Sequence, residues 1–158
     1  MQSACSQPIA TLSKIIITVG LPGSGKSTYL ARLGVNAISS DEIRRLIADD
    51  PLDQSMNARI FATIRYLVRQ RIAAGRPETY VDATHLTRWE RLPYIRLAQG
   101  HGCEIEALFF DVPVEVCIQR NQGRDRIVPE QSILDMARNL QSPTEAEGFS
   151  HVERVLNV

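Results

Sequence analysis

The segment Gly20-Leu21-Pro22-Gly23-Ser24-Gly25-Lys26-Ser27 satisfies the pattern G-x-x-x-x-G-K-[ST] at every fixed position. Glycines at those points let successive backbone N–H groups turn toward one polyanion, and a helix opening there adds the positive end of its dipole. Lys26 supplies a mobile cation for β- and γ-phosphate oxygens. Ser27 offers a hydroxyl to Mg²⁺, an ion that keeps most of its waters and bridges phosphates. Gly20 to Ser27 and the adjoining Thr28 are therefore the expected cradle for ATP, with Ser27 as the protein's ligand to the metal and Lys26 acting in catalysis.

Phosphoryl transfer also asks for a carboxylate to accept the proton of the attacking hydroxyl. Three of the expected strands end in aspartate: Ile38-Ser39-Ser40-Asp41, Tyr80-Val81-Asp82 and Phe109-Phe110-Asp111. In open α/β sheets, ligands bind beyond the carboxyl ends of the strands, so all three should share the edge that carries the glycine loop. Asp41 is the preferred base, because Arg44 follows three residues later and shares a helix face with it. A helix cap at Asp41 fits its position equally well. Asp82 suits a water-mediated Mg²⁺ contact or an acceptor contact, and Asp111 a turn or helix entry.

Arg120, Arg124 and Arg126 lie in the polar stretch Arg120-Asn121-Gln122-Gly123-Arg124-Asp125-Arg126, between two segments that open with proline. A segment of this kind can close over a nucleotide to exclude water, and its cations would stabilise transition-state charge.

The elements that must position these groups alternate. Lys14 to Val19 reads as a buried parallel strand. A helix to Leu33 follows the glycines, then a short strand over 36–39 and a helix over 41–48. A longer amphipathic helix spans 56–74, with Gly75 as its C-cap. Strands over 79–82 and 104–110 flank a helix over 88–99, opened by a Thr87/Glu90 capping box and ended by Gly100. Pro113 and Pro129 start helices reaching 121 and about 141, and 152–156 is the last strand. Strand–helix alternation predicts a parallel sheet with helices on both faces. Residues 1–13 read as a flexible tail and 14–158 as one domain.

Composition fits an ordinary globular chain: 158 residues, 44% hydrophobic and 23% charged. No apolar run is long enough for a membrane span, and the first residues lack the pattern of a secretory signal. Cys5, Cys103 and Cys117 show neither metal-ligand spacing nor an even count, so a cytoplasmic, reducing location is expected. Eighteen basic residues balance 18 acidic ones, which argues against broad nucleic-acid binding while leaving room for a short strand held by a few arginines. Trp89, flanked by Arg88 and Arg91, could stack a base, although packing on the sheet is the reading preferred for it. Tyr29 reads as helix packing.

Five pieces in this order, Gly20–Thr28 (GLPGSGKST), Ile38–Arg44 (ISSDEIR), Val81–Thr84 (VDAT), Phe109–Arg124 (FFDVPVEVCIQRNQGR) and Glu147–Asn157 (EGFSHVERVLN), resemble the 5′-kinase domain of polynucleotide kinases. The resemblance extends to the phage-type enzyme, to bacterial kinase-phosphatase repair proteins and, more broadly, to the small AAA-type ATP-binding kinases. It implies an α/β P-loop NTPase fold: a five-stranded parallel sheet flanked by helices, adenylate-kinase-like, with a small helical lid. It further implies Asp41 as general base on a 5′-hydroxyl, Arg44 on the neighbouring acceptor phosphate, and Asp82 on the acceptor side. Arg120 and Arg124 would be lid arginines on the ATP phosphates, with Arg124 catalytic. One departure is His85, where members commonly carry asparagine.

The expected function is ATP- and Mg²⁺-dependent transfer of a γ-phosphate to an acceptor hydroxyl, foremost the 5′-OH of a polynucleotide. A small-metabolite kinase and an ATP-binding regulatory switch are the alternatives. A GTPase switch is disfavoured, since neither lysine of the chain follows an asparagine as an Asn-Lys-x-Asp base-reading motif requires.

Overall fold

The computed structural model describes residues 12–156; the expected tail therefore lies, up to residue 11, outside the described residues. Five strands form one parallel sheet in the order β2-β3-β1-β4-β5: β1 (Lys14–Val19), β2 (Ala37–Ser39), β3 (Glu78–Asp82), β4 (Glu104–Phe110) and β5 (His151–Val155). Central β1 pairs on both sides, with Ile17 opposite Val81 of β3 and Ala107 of β4. The expected five-stranded α/β P-loop fold is the one observed.

Alternation along β1 decides which helix covers which face. Ile15, Ile17 and Val19 point to one side, where α3 (Asn57–Ala73) and α4 (Arg88–Gly100) cover them. On α3 the covering residues are Ile60, Ile64 and Val68, four apart and fully buried; each contributes about 1.5–3 kcal/mol. Ile16 points the other way, onto Leu30 of α1 (Lys26–Leu33) together with Leu108, Phe110 and Val155. A third, smaller apolar cluster lies at the carboxyl edge. There Leu21 and Leu86 meet Cys117 of α5 (Val114–Asn121) and Met136 of α6 (Glu130–Asn139). This cluster seats α5 and α6 beside the glycine loop.

Several boundaries follow local chemistry that the sequence displays. Thr87 accepts from the backbone N–H of Glu90 while the Glu90 carboxylate accepts from the Thr87 N–H, which completes the capping box. Pro113 and Pro129 are the N-caps of α5 and α6. Gly75, at φ 70°, closes the turn after α3 through its N–H to Ile72 O. Others differ. α4 runs one residue past the expected 99 and takes in Gly100 as its last residue, because His101 N–H still reaches Leu97 O; the left-handed residue is Gly102, at φ 64°. Pro93 sits inside α4, where it removes one helical hydrogen bond. The helix ending at Asn139 stops short of 141 because Leu140 is extended and Gln141 N–H bonds to Leu86 O.

A 3₁₀ turn at Glu145–Glu147 leads into β5. It is tied to α4 by Arg91, whose fully buried guanidinium donates through Nε and Nη2 to both Glu147 carboxylate oxygens at 2.8 Å. Arg91 is thereby a structural strut. Trp89, expected to pack on the sheet, is instead 80% exposed. Tyr29 does pack, edge-on to Phe110 at 5.4 Å between ring centroids. Among the described residues no helix is long and apolar enough to cross a membrane.

Candidate active site

At the carboxyl edge, where strand order passes from β3 through β1 to β4, a cleft of about 760 Å³ opens between the glycine loop, α2 (Ser40–Ala48), α3 and the α5–α6 segment. Its floor is the loop. Gly23, at φ +81°, lies so close to α5 that a Cβ there would stand 2.4 Å from the Cys117 carbonyl oxygen; only glycine fits. Gly25, at φ 95°, is the N-cap of α1, so the helix begins immediately beyond the loop and directs its free N–H groups into the cleft.

Lys26 folds back over the loop. Its ammonium donates to Leu21 O at 2.7 Å and Gly20 O at 3.1 Å. Burial pulls its pKa down to about 8, Arg124 adding to the effect and Asp82 opposing it. The Ser27 hydroxyl donates to Asp82 Oδ2 at 2.6 Å. That leaves the oxygen's lone pairs free for a cation, and the donor set suits Mg²⁺ held through one hydroxyl and phosphate oxygens with a carboxylate behind. Among the described residues no three His, Cys, Asp or Glu side chains group to hold a metal by themselves.

Asp41 is in the first turn of α2, not on the strand. The N-cap is Ser39, whose hydroxyl accepts from Glu42 N–H. Asp41 therefore has no capping duty and lines the cleft. Its carboxylate pairs with Arg126 Nη1 across the cleft. Arg44, 4% exposed, also lines the cleft; its Nη1 donates to Asn57 Oδ1 at 2.6 Å and Asp53 O at 2.9 Å. Burial, then the neighbouring Arg126 charge, lowers its proton affinity. Asp111, by contrast, pairs with Arg154 of β5 and is not among the cleft residues.

Arg120, Arg124 and Arg126 all reach the cleft wall. The two ends of their loop are fastened together: Asn121 Nδ2 donates to Val128 O at 2.7 Å and Val128 N–H to Asn121 Oδ1 at 3.0 Å, both buried. Arg124 is near enough to Lys26 to lower its pKa, whereas Arg126 faces Asp41 and Arg44. His85 turns away from the cleft. At φ 44° its ring lies buried beside Tyr94, Nδ1 is 2.7 Å from Thr18 O, and desolvation pulls its pKa down to about 4, so the ring is neutral.

Residues 15–143 match the model of the family described as AAA domain. The chain belongs to that family. The solved structures it resembles share its α/β P-loop fold. A chain in the "Pnkp1/Rnl/Hen1 RNA repair complex" superposes with a TM-score of 0.70 and 22% identity, over 89% of this chain and 47% of that one. A gluconokinase from Sinorhizobium meliloti 1021 gives 0.60 and 21%, covering 92% and 82% respectively. The Mycobacterium tuberculosis APS kinase CysC, solved with AMPPNP and APS, gives 0.58 and 19%, covering 90% and 88%. At these identities the likeness shows the fold. The chain spans about half the length of the repair-complex chains.

Asn57, which orients Arg44, and the Arg126–Asp41 pair were not singled out by spacing. Asn57 resembles any residue opening a helix, and the pair joins positions 85 residues apart.

Proposed function

We propose that residues 14–158 form an ATP- and Mg²⁺-dependent kinase domain that moves a γ-phosphate to an acceptor hydroxyl, the 5′-OH of a polynucleotide being the leading acceptor. The observation that carries this reading is Asp41: Ser39 caps the helix in its place, and the carboxylate, spared that duty, shares one cleft with Lys26 and Ser27. A cap-free aspartate opposite a phosphate cradle is placed to take the hydroxyl proton.

Each residue then has a task. Lys26 exchanges the Gly20 and Leu21 carbonyls for phosphate oxygens, and the loop N–H groups hold the remaining oxygens. ATP supplies the phosphoryl group, and Mg²⁺, when bound, would supply neutralisation of the phosphate charge. The Ser27 hydroxyl would hold it, oriented by Asp82. Arg120 and Arg124 close on the donor phosphates and stabilise charge in flight. Arg44, buried and held by Asn57, grips an acceptor phosphate. The likeness to a chain of an RNA repair complex supports the polynucleotide acceptor. A small-metabolite kinase is the second reading, favoured by the chain's zero net charge and the likeness to a gluconokinase. A cytoplasmic location accompanies either reading, in keeping with the free thiols of Cys103 and Cys117.

The test is transfer of γ-labelled phosphate from ATP to short 5′-hydroxyl RNA and DNA strands. Mg²⁺-dependent labelling that falls by two or more orders of magnitude in Asp41→Asn, with ATP affinity kept within a few fold, is the expected result. ATP binding without any labelled strand would move the metabolite acceptor to first place. Equal losses in turnover and ATP affinity would remove Asp41 from the role of base.

A further inference from the structure

Arg126 differs from Arg124 of the same loop and from Arg120 at the end of α5. It comes from the α5–α6 segment yet reaches across the cleft to Asp41. Its Nε is buried with no hydrogen-bond partner. On the opposite wall, Arg44 has the same deficit: Nη1 is satisfied by Asn57 and Asp53, while Nε is buried and unpartnered. The two guanidiniums are close enough for Arg126 to disfavour the charged form of Arg44. The ionisable groups acting on Arg44 are Arg126, Asp41 and Asp53. The Asp53 carboxylate is engaged with Ser55 N–H, so Asp41, paired with Arg126, is the carboxylate whose charge acts on both arginines.

Two neighbouring guanidiniums, each with a buried Nε that lacks a partner and with Asp41 paired to only one of them, form an arrangement short of one anion. Buried unpaired donors and like charges are each costly, and a ligand that repairs both deficits is bound for that reason. A carboxylate presents two oxygens, whereas a phosphate has oxygens enough to meet two guanidinium forks at once.

We propose that Arg126 is an acceptor-side positioning residue. With Arg44 it forms a two-guanidinium site for a phosphate group carried by the acceptor close to its reactive hydroxyl, and without that phosphate it holds Asp41 in an ion pair. Acceptor binding then transfers Arg126 from Asp41 to the phosphate and frees the carboxylate to receive the hydroxyl proton. The site thereby couples correct binding to exposure of the base, and a hydroxyl compound without the phosphate, water included, meets a carboxylate that is still engaged. This inference rests on Asp41 as the base and assigns Arg126 a role separate from the donor-side one given to Arg120 and Arg124.

The experiment compares adenosine 3′-monophosphate with adenosine in the wild type, Arg126→Ala and Arg126→Lys. Transfer of labelled phosphate from ATP is measured, as is calorimetric binding of each compound in the presence of AMPPNP and Mg²⁺. In Arg126→Ala the preference for the phosphorylated compound should fall by about ten- to a hundredfold, the size expected for charged hydrogen bonds. The Michaelis constant for ATP should stay within about twofold on the same grounds. Arg126→Lys, which keeps the charge and loses the fork, should fall between the two. An unchanged preference, or a loss confined to the ATP side, overturns the proposal. Arg126-dependent binding of adenosine 3′-monophosphate with no transfer to either compound would sustain the phosphate site and refute the kinase reading instead. Binding indifferent to Arg126 would refute the site whatever the transfer assay shows.

Discussion

The two ends of the cleft are built on different principles. At the proposed donor end the phosphate cradle is one continuous segment, Gly20 to Thr28, and most of what it offers is backbone N–H groups. The loop's polar side chains are satisfied internally: Lys26 on the loop's own carbonyls and Ser27 on Asp82. The acceptor end is assembled from Asp41, Arg44, Asn57 and Arg126, brought from α2, α3 and the loop after α5, and held side chain to side chain. It keeps two buried guanidinium nitrogens without partners. The donor end is shaped by chain conformation, the acceptor end by charge. The first arrangement suits a ligand common to many kinases; the second can change its ligand through single side-chain substitutions.

Gly23→Ala would press hardest on that contrast. It places a Cβ 2.4 Å from the Cys117 carbonyl at φ +81°. The strain alone is about 1–3 kcal/mol, and the clash is with backbone, which cannot rotate away. Nucleotide affinity should drop on the order of 100-fold while binding of an acceptor phosphate changes little, as titration calorimetry of each ligand would read out. Near-normal ATP binding would mean that the donor end tolerates deformation and is not shaped by its backbone.

Asn57→Ala probes the other end. It removes a 2.6 Å charged hydrogen bond from Arg44, so the Michaelis constant for the acceptor should rise about tenfold, with that for ATP unchanged. A shift in both constants would show that the ends are not separable.

The smallest effect is a pH dependence confined to the donor end. The free protein's Lys26 has its pKa pulled down to about 8, and bound phosphate, being anionic, must raise it. ATP affinity is then flat below pH 8 and weakens as pH rises above it, by less than about tenfold per unit, with proton uptake on binding. Acceptor affinity should show no such step. Titrations in two buffers of different ionisation heat would measure the uptake, and its absence near pH 8.5 would contradict the assignment.

What the sequence displayed follows the same division. The glycine loop, the Thr87/Glu90 capping box and the proline starts of α5 and α6 are local, since each depends on residues a few positions apart. The strand Glu104–Phe110 was read to the residue. The sequence could not decide between base and cap at Asp41, because both roles favour an aspartate at a helix start; only the Ser39 hydroxyl bond separates them. Arg91 looked like a companion to Trp89 and proved to be bound to Glu147, 56 residues away. His85 stood in the acceptor motif, yet its left-handed backbone turns the ring under the sheet edge. For Arg91 and His85 the deciding partner is distant in sequence and leaves no periodic trace.

The Asn121–Val128 bridge determines how the arginines can travel. Because it pins the loop's two ends to each other, residues 122–127 cannot swing as a free flap. Val114–Asn121 is a rod of about 12 Å, and its Cys117 carbonyl abuts Gly23. The segment that carries Arg124 and Arg126 is therefore anchored to the phosphate loop through α5, and its reach is set by where α5 and α6 stand.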